Sequence, residues 1–317
     1  MPVTVARSLD DALSALEEHP NALILAGGTD VMVEVNKGTR PVEQVISIGR
    51  VPELQDWEHE GDWLHLGAAV TYTELMGEEL SSLVPALAQA ARTVGSPQIR
   101  NAGTIGGNLG TSSPAGDTLP ALFALDAILT IRSKTTVKEV PIDEFITGVK
   151  SNSLNPGELI EKIRVPVLEG PQEFCKIGPR NAMVISVVSF TLLTDHQEKQ
   201  VKSCLGTVGP VPIRPIEAED FISGEVNWEQ NTVRPEVLDN FAAFMPFGSS
   251  IIVNIEPISS CDSGVCACQS GQVISTIFCG STLYLINGMA SPLTGSIPNM
   301  RYCSGVGGGT SLAFWSR

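Results

Sequence analysis

Leu9, Leu13 and Leu16 recur every three to four residues behind Ser8, which places them on one face of a helix over residues 8–16 with a serine ready to cap it. The rhythm then changes. Ala22-Leu23-Ile24-Leu25 is an unbroken apolar run after Pro20-Asn21 and reads as a short buried strand. Residues 45–48 and 63–68 read as strands around an acidic loop, and residues 74–76 and 83–93 as helices. An apolar helical stretch covers 119–127, followed by alternating runs at 127–133 and 137–140, a helix at 142–145 and a strand-like alternation from Glu158 to Ile163. Past a proline-bounded hinge at 166–171, residues 183–194 and 201–208 predict two more strands. The pattern is that of a mixed α and β protein.

Two glycine-rich stretches interrupt this pattern, Leu25-Ala26-Gly27-Gly28-Thr29-Asp30 and Asn101-Ala102-Gly103-Thr104-Ile105-Gly106-Gly107-Asn108. Without a Cβ, Gly27, Gly28, Gly106 and Gly107 can take positive φ and let a ligand approach the main chain. Successive bare amides in such turns form a concave nest that binds phosphate without a lysine. Neither stretch is a P-loop, for no Gly-Lys-Ser/Thr occurs, and neither has the G-x-G-x-x-G spacing of a Rossmann turn. Taken singly, each also reads as an ordinary tight loop.

Taken together, Ala26-Gly27-Gly28-Thr29-Asp30-Val31-Met32, Arg100 to Leu109, Ser113-Pro114-Ala115-Gly116-Asp117 and the stretch from Phe174 to Ser186 resemble the FAD-binding, or medium, subunit of the molybdenum hydroxylases. That family includes bacterial xanthine dehydrogenase and aerobic carbon monoxide dehydrogenase. The resemblance runs from about Pro2 to Phe244. It implies an α+β fold: a two-subdomain FAD-binding domain of the PCMH type over 1–168, with subdomains of about 1–56 and 57–168, then a smaller α+β C-terminal domain over 172–245.

Carried over residue by residue, the resemblance implies that Ile24, Leu25, Ala26, Gly27, Gly28, Thr29, Asp30 and Val31 wrap the FAD pyrophosphate. Thr104, Ile105, Gly106, Gly107 and Asn108 would close the other side, Asp117 would accept hydrogen bonds from FAD hydroxyls, and Ile160 and Lys176 would line the pocket. The residues themselves allow plainer roles. Asp117 stands where it could cap the helix that follows, Lys176 could snorkel to solvent along its stem, and Ile160 alternates like a strand core residue.

At 317 residues and 43% hydrophobic, the chain is long enough to bury a core in two or more domains. Its net charge of -15 lacks the basic footprint of a nucleic-acid binder. With no secretory signal pattern and no apolar run of membrane-spanning length, a cytoplasmic protein is expected. The histidines His19, His59, His65 and His196 are scattered, and no acid–base or nucleophilic constellation is readable from spacing.

From Pro246 the character changes: Glu256, Asp262, Arg301 and Arg317 are the only charged residues of an atypical tail over 246–317. Where the family closes with Arg- and Ala-rich helices, this tail is rich in Ser, Gly and Ile, so either an atypical extension or a changed reading frame or truncation is expected. Cys261, Cys266 and Cys268 echo an iron–sulfur spacing but fall one residue short in the last gap, and free thiols are the expectation there.

The implied function is electron relay. A molybdenum-cofactor large subunit would oxidise the substrate, a [2Fe-2S] small subunit would pass electrons on, and FAD on this chain would hand them to a terminal acceptor. Two alternatives stay open: a self-sufficient FAD-dependent oxidase, and a non-catalytic remnant with an altered C-terminus.

Overall fold

The computed structural model describes residues 2–245 apart from 181, and beyond them only four short strands, Ile251–Ile252, Tyr284–Leu285, Met300–Ser304 and Ser311–Trp315. The tail cysteines Cys261, Cys266 and Cys268 lie outside the described residues.

The N-terminal unit holds β1 (Val3–Val5), α1 (Leu9–Glu18), β2 (Leu23–Leu25), α2 (Val31–Asn36), β3 (Val45–Ser47) and α3 (Pro52–Gln55). Its three strands form a parallel sheet in the order β1-β3-β2. Ser8 caps α1 by accepting from the Asp11 amide, and Leu13 and Leu16 are buried with Ala12 and Ala15 on one face, as the leucine spacing requires. Ile46, Val51 and Leu54 complete this small core.

The middle unit begins with the hairpin of β4 (Trp57–Glu60) and β5 (Trp63–Gly67). Six helices follow: α4 (Tyr72–Leu75), α5 (Glu78–Leu83), α6 (Pro85–Thr93), α7 (Pro97–Ala102), α8 (Ile105–Thr111) and α9 (Leu119–Ala124). The chain then returns through β6 (Ile128–Arg132), β7 (Val137–Pro141), α10 (Ile142–Phe145), β8 (Ile146–Gly148), β9 (Ser151–Asn152) and β10 (Leu159–Pro166). A five-stranded antiparallel sheet runs β4-β5-β10-β6-β7. Central β10 buries Leu159, Ile160, Ile163 and Val165, and a bulge between Ile160 and Lys162 shifts its register against β6. Glu161 is also buried there, its charge met by Arg132 at 2.5 Å.

The last unit is the antiparallel sheet of β11 (Gln172–Ile177), β12 (Val188–Asp195) and β13 (Gln200–Gly206), followed by α11 (Ile216–Glu225) and α12 (Pro235–Ala243). One face lays Phe174, Leu193 and Cys204 into the core of the middle unit, against α6 and α9. The other lays Phe190, Leu192 and Leu205 against Ile222, Val237 and Phe241. Arg214 ties the two units together, pairing with Asp126 after α9 and, at 2.5 Å, with buried Glu219 on α11.

Three elements depart from the periodicity. The expected helix over 119–127 ends at Ala124, because Asp126 adopts a left-handed φ of 50° and turns its carboxylate toward Lys202 and Arg214. The strand expected from 183 begins only at Val188: the chain leaves the sheet after Ile177, passes through Met183 at a φ of 49°, and re-enters where the Val187 amide donates to the Ile177 carbonyl. The second glycine stretch is a helix, α8, rather than an open turn. Among the described residues, no helix is long and apolar enough to cross a membrane.

Candidate functional site

A cleft of about 1640 Å³ opens between the N-terminal and middle units, with Met183, Val184 and Ile185 of the β11–β12 excursion at its border. That exceeds the roughly 300–1,000 Å³ of pockets for compact small molecules and suits an extended ligand.

Its floor is made where the two glycine stretches meet. The loop after β2 packs so closely on the end of α7 that a Cβ on Gly27 would stand 1.7 Å from the Ala102 carbonyl oxygen. Gly28 beside it has a φ of 70°, a conformation that favours glycine. No amide from Ala26 through Asp30 donates to an atom of the described residues, so this loop presents a row of open donors along the cleft.

The second stretch behaves differently, and this corrects the sequence expectation of a second bare nest. Thr104 Oγ1 accepts from the Gly107 amide at 3.0 Å, and the Asn108 amide donates to the Thr104 carbonyl. The amides of Ile105 and Gly106 donate to the carbonyls of Val70 and Ala68. Nor do Gly27, Gly106 and Gly107 adopt positive φ. Glycine is needed at 106 for close approach, since a Cβ there would lie 2.5 Å from the Ala68 carbonyl oxygen.

Of the residues singled out in the sequence, Ile24, Ala26, Gly27, Gly28, Thr29, Asp30, Val31, Thr104, Gly106, Gly107, Asn108, Asp117 and Ile160 line this one cleft. Leu25, Ile105 and Lys176 are not brought to its wall. Ile105, the first residue of α8, is fully buried, and Leu25 turns its side chain toward Gly28. Ile160 does both things asked of it, filling the strand core and facing the cleft at the bulge.

Asp117 and Lys176 form a buried ion pair, with Lys176 Nζ 2.6 Å from Asp117 Oδ2 and side chains only 3% and 7% exposed. Both plainer sequence readings fail here. Asp117 does not cap α9, whose cap position is Thr118 with no side-chain bond, and Lys176 does not reach solvent. The second carboxylate oxygen of Asp117, Oδ1, is buried without a partner among the described residues. Burial pushes the Asp117 carboxyl above its usual range, while the Lys176 ammonium and, less strongly, the Thr93 hydroxyl pull against that shift.

Charged side chains along the cleft are mostly acidic: Glu18, Asp30, Glu34, Glu43 and Asp117 against Arg40 and Lys150. Both cations are engaged with Glu34, Arg40 at 3.6 Å, and a hydrogen bond from Lys150 holds that carboxyl below its usual range. An anion here would therefore rely on main-chain amides.

Sequence reasoning missed Tyr72, Arg40 and Lys150. The capping box of Thr71 and Glu74 was readable as the start of a helix, which puts Tyr72 in its first turn. Nothing local indicates that the Tyr72 ring packs over Gly103, where a Cβ would meet it at 2.7 Å.

Residues 1–168 match the family described as "FAD binding domain in molybdopterin dehydrogenase". The chain belongs to this family. Similar relatives include the nicotinate dehydrogenase FAD-subunit of Eubacterium barkeri, 32% identical across 69% of this chain and 78% of that protein. The glyceraldehyde dehydrogenase medium chain of Sulfolobus acidocaldarius is 31% identical across 69% of this chain and 80% of its own length. A xanthine dehydrogenase FAD-binding subunit of Escherichia coli is 32% identical across 68% and 76%. The fold is shared with quinoline 2-oxidoreductase of Pseudomonas putida, at a TM-score of 0.70 and 22% identity over 77% of this chain and 85% of that one. Carbon monoxide dehydrogenase of Hydrogenophaga pseudoflava gives a TM-score of 0.69 at 23% identity, with the same coverage of 77% and 85%.

Proposed function

We propose that this chain is the FAD-binding subunit of a molybdenum hydroxylase, holding FAD along the cleft between its first two units. One observation carries the reading: the open amides of residues 26–30 share a single cleft with Asp117, a buried carboxylate held by Lys176. A diphosphate wants a row of donors and no competing acceptor. A polyhydroxylated linker wants a fixed acceptor. The site supplies one of each.

In this reading the loop from Ile24 to Val31 holds the pyrophosphate through its main chain, and Gly28 makes the turn that exposes those amides. The segment Thr104 to Asn108 closes the opposite wall as a capped, tightly packed helix start, shaping the cleft without donating bare amides to it. Asp117 receives hydroxyl hydrogen bonds. When bound, FAD supplies the redox chemistry that connects iron–sulfur clusters to a terminal electron acceptor. The protein's share is to bind it, orient it and keep its surroundings fixed.

The first 168 residues are read as the two-part FAD domain of PCMH type, divided near residue 56, and residues 172–245 as the smaller C-terminal domain. The partners are a molybdenum-cofactor large subunit and a [2Fe-2S] small subunit. Co-expression with such subunits tests this. A complex whose substrate bleaches the flavin of this chain, together with an isolated chain that leaves the same substrate untouched, is the expected result. Substrate oxidation by the isolated chain would favour a self-sufficient oxidase instead.

A further inference from the structure

Helix α2 differs from the other helices of the N-terminal unit. α1 and α3 set leucines in the core, whereas α2 buries no side chain, although its Val31 and Glu34 line the cleft. Its hydrogen bonds are just as local. The amides of Met32, Val33, Lys37, Gly38 and Thr39 all donate to carbonyls between Gly28 and Val35, and Arg40 pairs with Glu34 inside the same segment. Among the described residues, the one polar link from residues 31–40 to another part of the chain is the ion pair of Glu34 with Lys150.

The far side of that link is fixed. Lys150 stands between β8 and β9 in the middle unit, where its amide donates to the Ser112 carbonyl at 3.0 Å. Asn152 beside it donates to the Gly110 carbonyl at 3.0 Å and to Ser112 Oγ at 3.3 Å. Glu34 and Lys150 thus meet across the cleft from opposite units. Their side chains stay 28% and 47% exposed, so water can replace either partner and the pair can open. The helix is also bracketed by glycines in the left-handed conformation, Gly28 at a φ of 70° and Gly38 at 69°, and a Cβ on Gly38 would meet nothing within 4 Å. Hinge motion is absorbed at a few such positions at the ends of elements.

We propose that α2 is a hinged flap over the cleft, latched shut by Glu34 and Lys150, and that this latch governs how fast a ligand leaves. The proposal rests on the reading that FAD occupies the cleft. Residues 26–30, whose open amides face the phosphates in that reading, run straight into the flap, so opening it draws donors away from the ligand. A latch as exposed as this one shifts the balance of open and closed forms by about 2–5-fold, and salt weakens it.

Two measurements on the full-length chain test the proposal. The first needs no ligand: amide hydrogen exchange of residues 31–40, with α1 as the internal reference. In Lys150→Met and Glu34→Gln the α2 amides exchange about 2–5-fold faster than in the wild type, α1 is unchanged, and the double variant goes no further than either single one. Lys150→Arg stays near the wild-type rate, and so does Arg40→Met, because the partner of Arg40 lies within the flap. The second is FAD release, read by the rise of flavin fluorescence after dilution. Both neutral variants release FAD about 2–5-fold faster, and high salt brings the wild type to their rate. Unchanged α2 exchange in both neutral variants overturns the latch, whatever the cleft binds. Faster exchange with unchanged FAD release overturns its control of the ligand. A wild type that retains no FAD overturns the cleft reading and the control of release with it, while the exchange measurement still decides the latch.

Discussion

Gly27 lies on the carbonyl group of Ala102, two residues separated by most of a subdomain in sequence yet so close that a Cβ on the first would stand 1.7 Å from the oxygen of the second. The loop after β2 and the end of α7 are therefore one packed structure. Neither can be altered without moving the other.

Gly27→Ala follows directly. The added methyl meets backbone, which cannot swing aside, so the two units must part locally, at a cost of about 1–3 kcal/mol or more. Flavin content should fall along with the melting temperature. Gly224→Ala on α11, where a Cβ meets nothing within 4 Å, is the control and should leave both unchanged or gain slightly in stability. Full flavin retention in Gly27→Ala at wild-type stability would show that the loops are not joined in this way.

Thr104 carries a second prediction. Its hydroxyl caps α8 by accepting from Gly107, and removal of such a cap costs about 1 kcal/mol. Thr104→Ala should lower the melting temperature modestly, with FAD affinity reduced only as far as the helix start loosens, and Thr104→Ser should restore both. Lost flavin at an unchanged melting temperature would instead assign the hydroxyl to the ligand.

Much of this was legible in the chain, and the exceptions have physical causes. The α1 leucines and the apolar run of β2 announce themselves because each repeats with its element's own period. Helix α8 does not, because Gly106, Gly107 and Gly110 each cost a helix roughly 1 kcal/mol relative to alanine, so local propensity argues for a turn. What overrides it is tertiary: Ile105 and Leu109 are fully buried, and the Gly106 and Ile105 amides donate to the carbonyls of Ala68 and Val70 in the turn after β5. The same limit applies to charge. Asp117 and Lys176 were each readable as residues of interest, but their pairing spans 59 positions and depends on β11 docking against the middle unit. The break at Asp126 likewise comes from its partners Lys202 and Arg214, far along the sequence.

The central claim is that the open amides of residues 26–30 and the acceptor on Asp117 together hold one FAD. Titrating the purified full-length chain with FAD, then desalting and recording the spectrum, tests it most directly. A flavin band near about 450 nm that stays with the protein at one equivalent, and that is lost in both Gly27→Ala and Asp117→Ala, is the predicted result. A wild-type chain that folds, yet retains no flavin after incubation with excess FAD, would contradict the account.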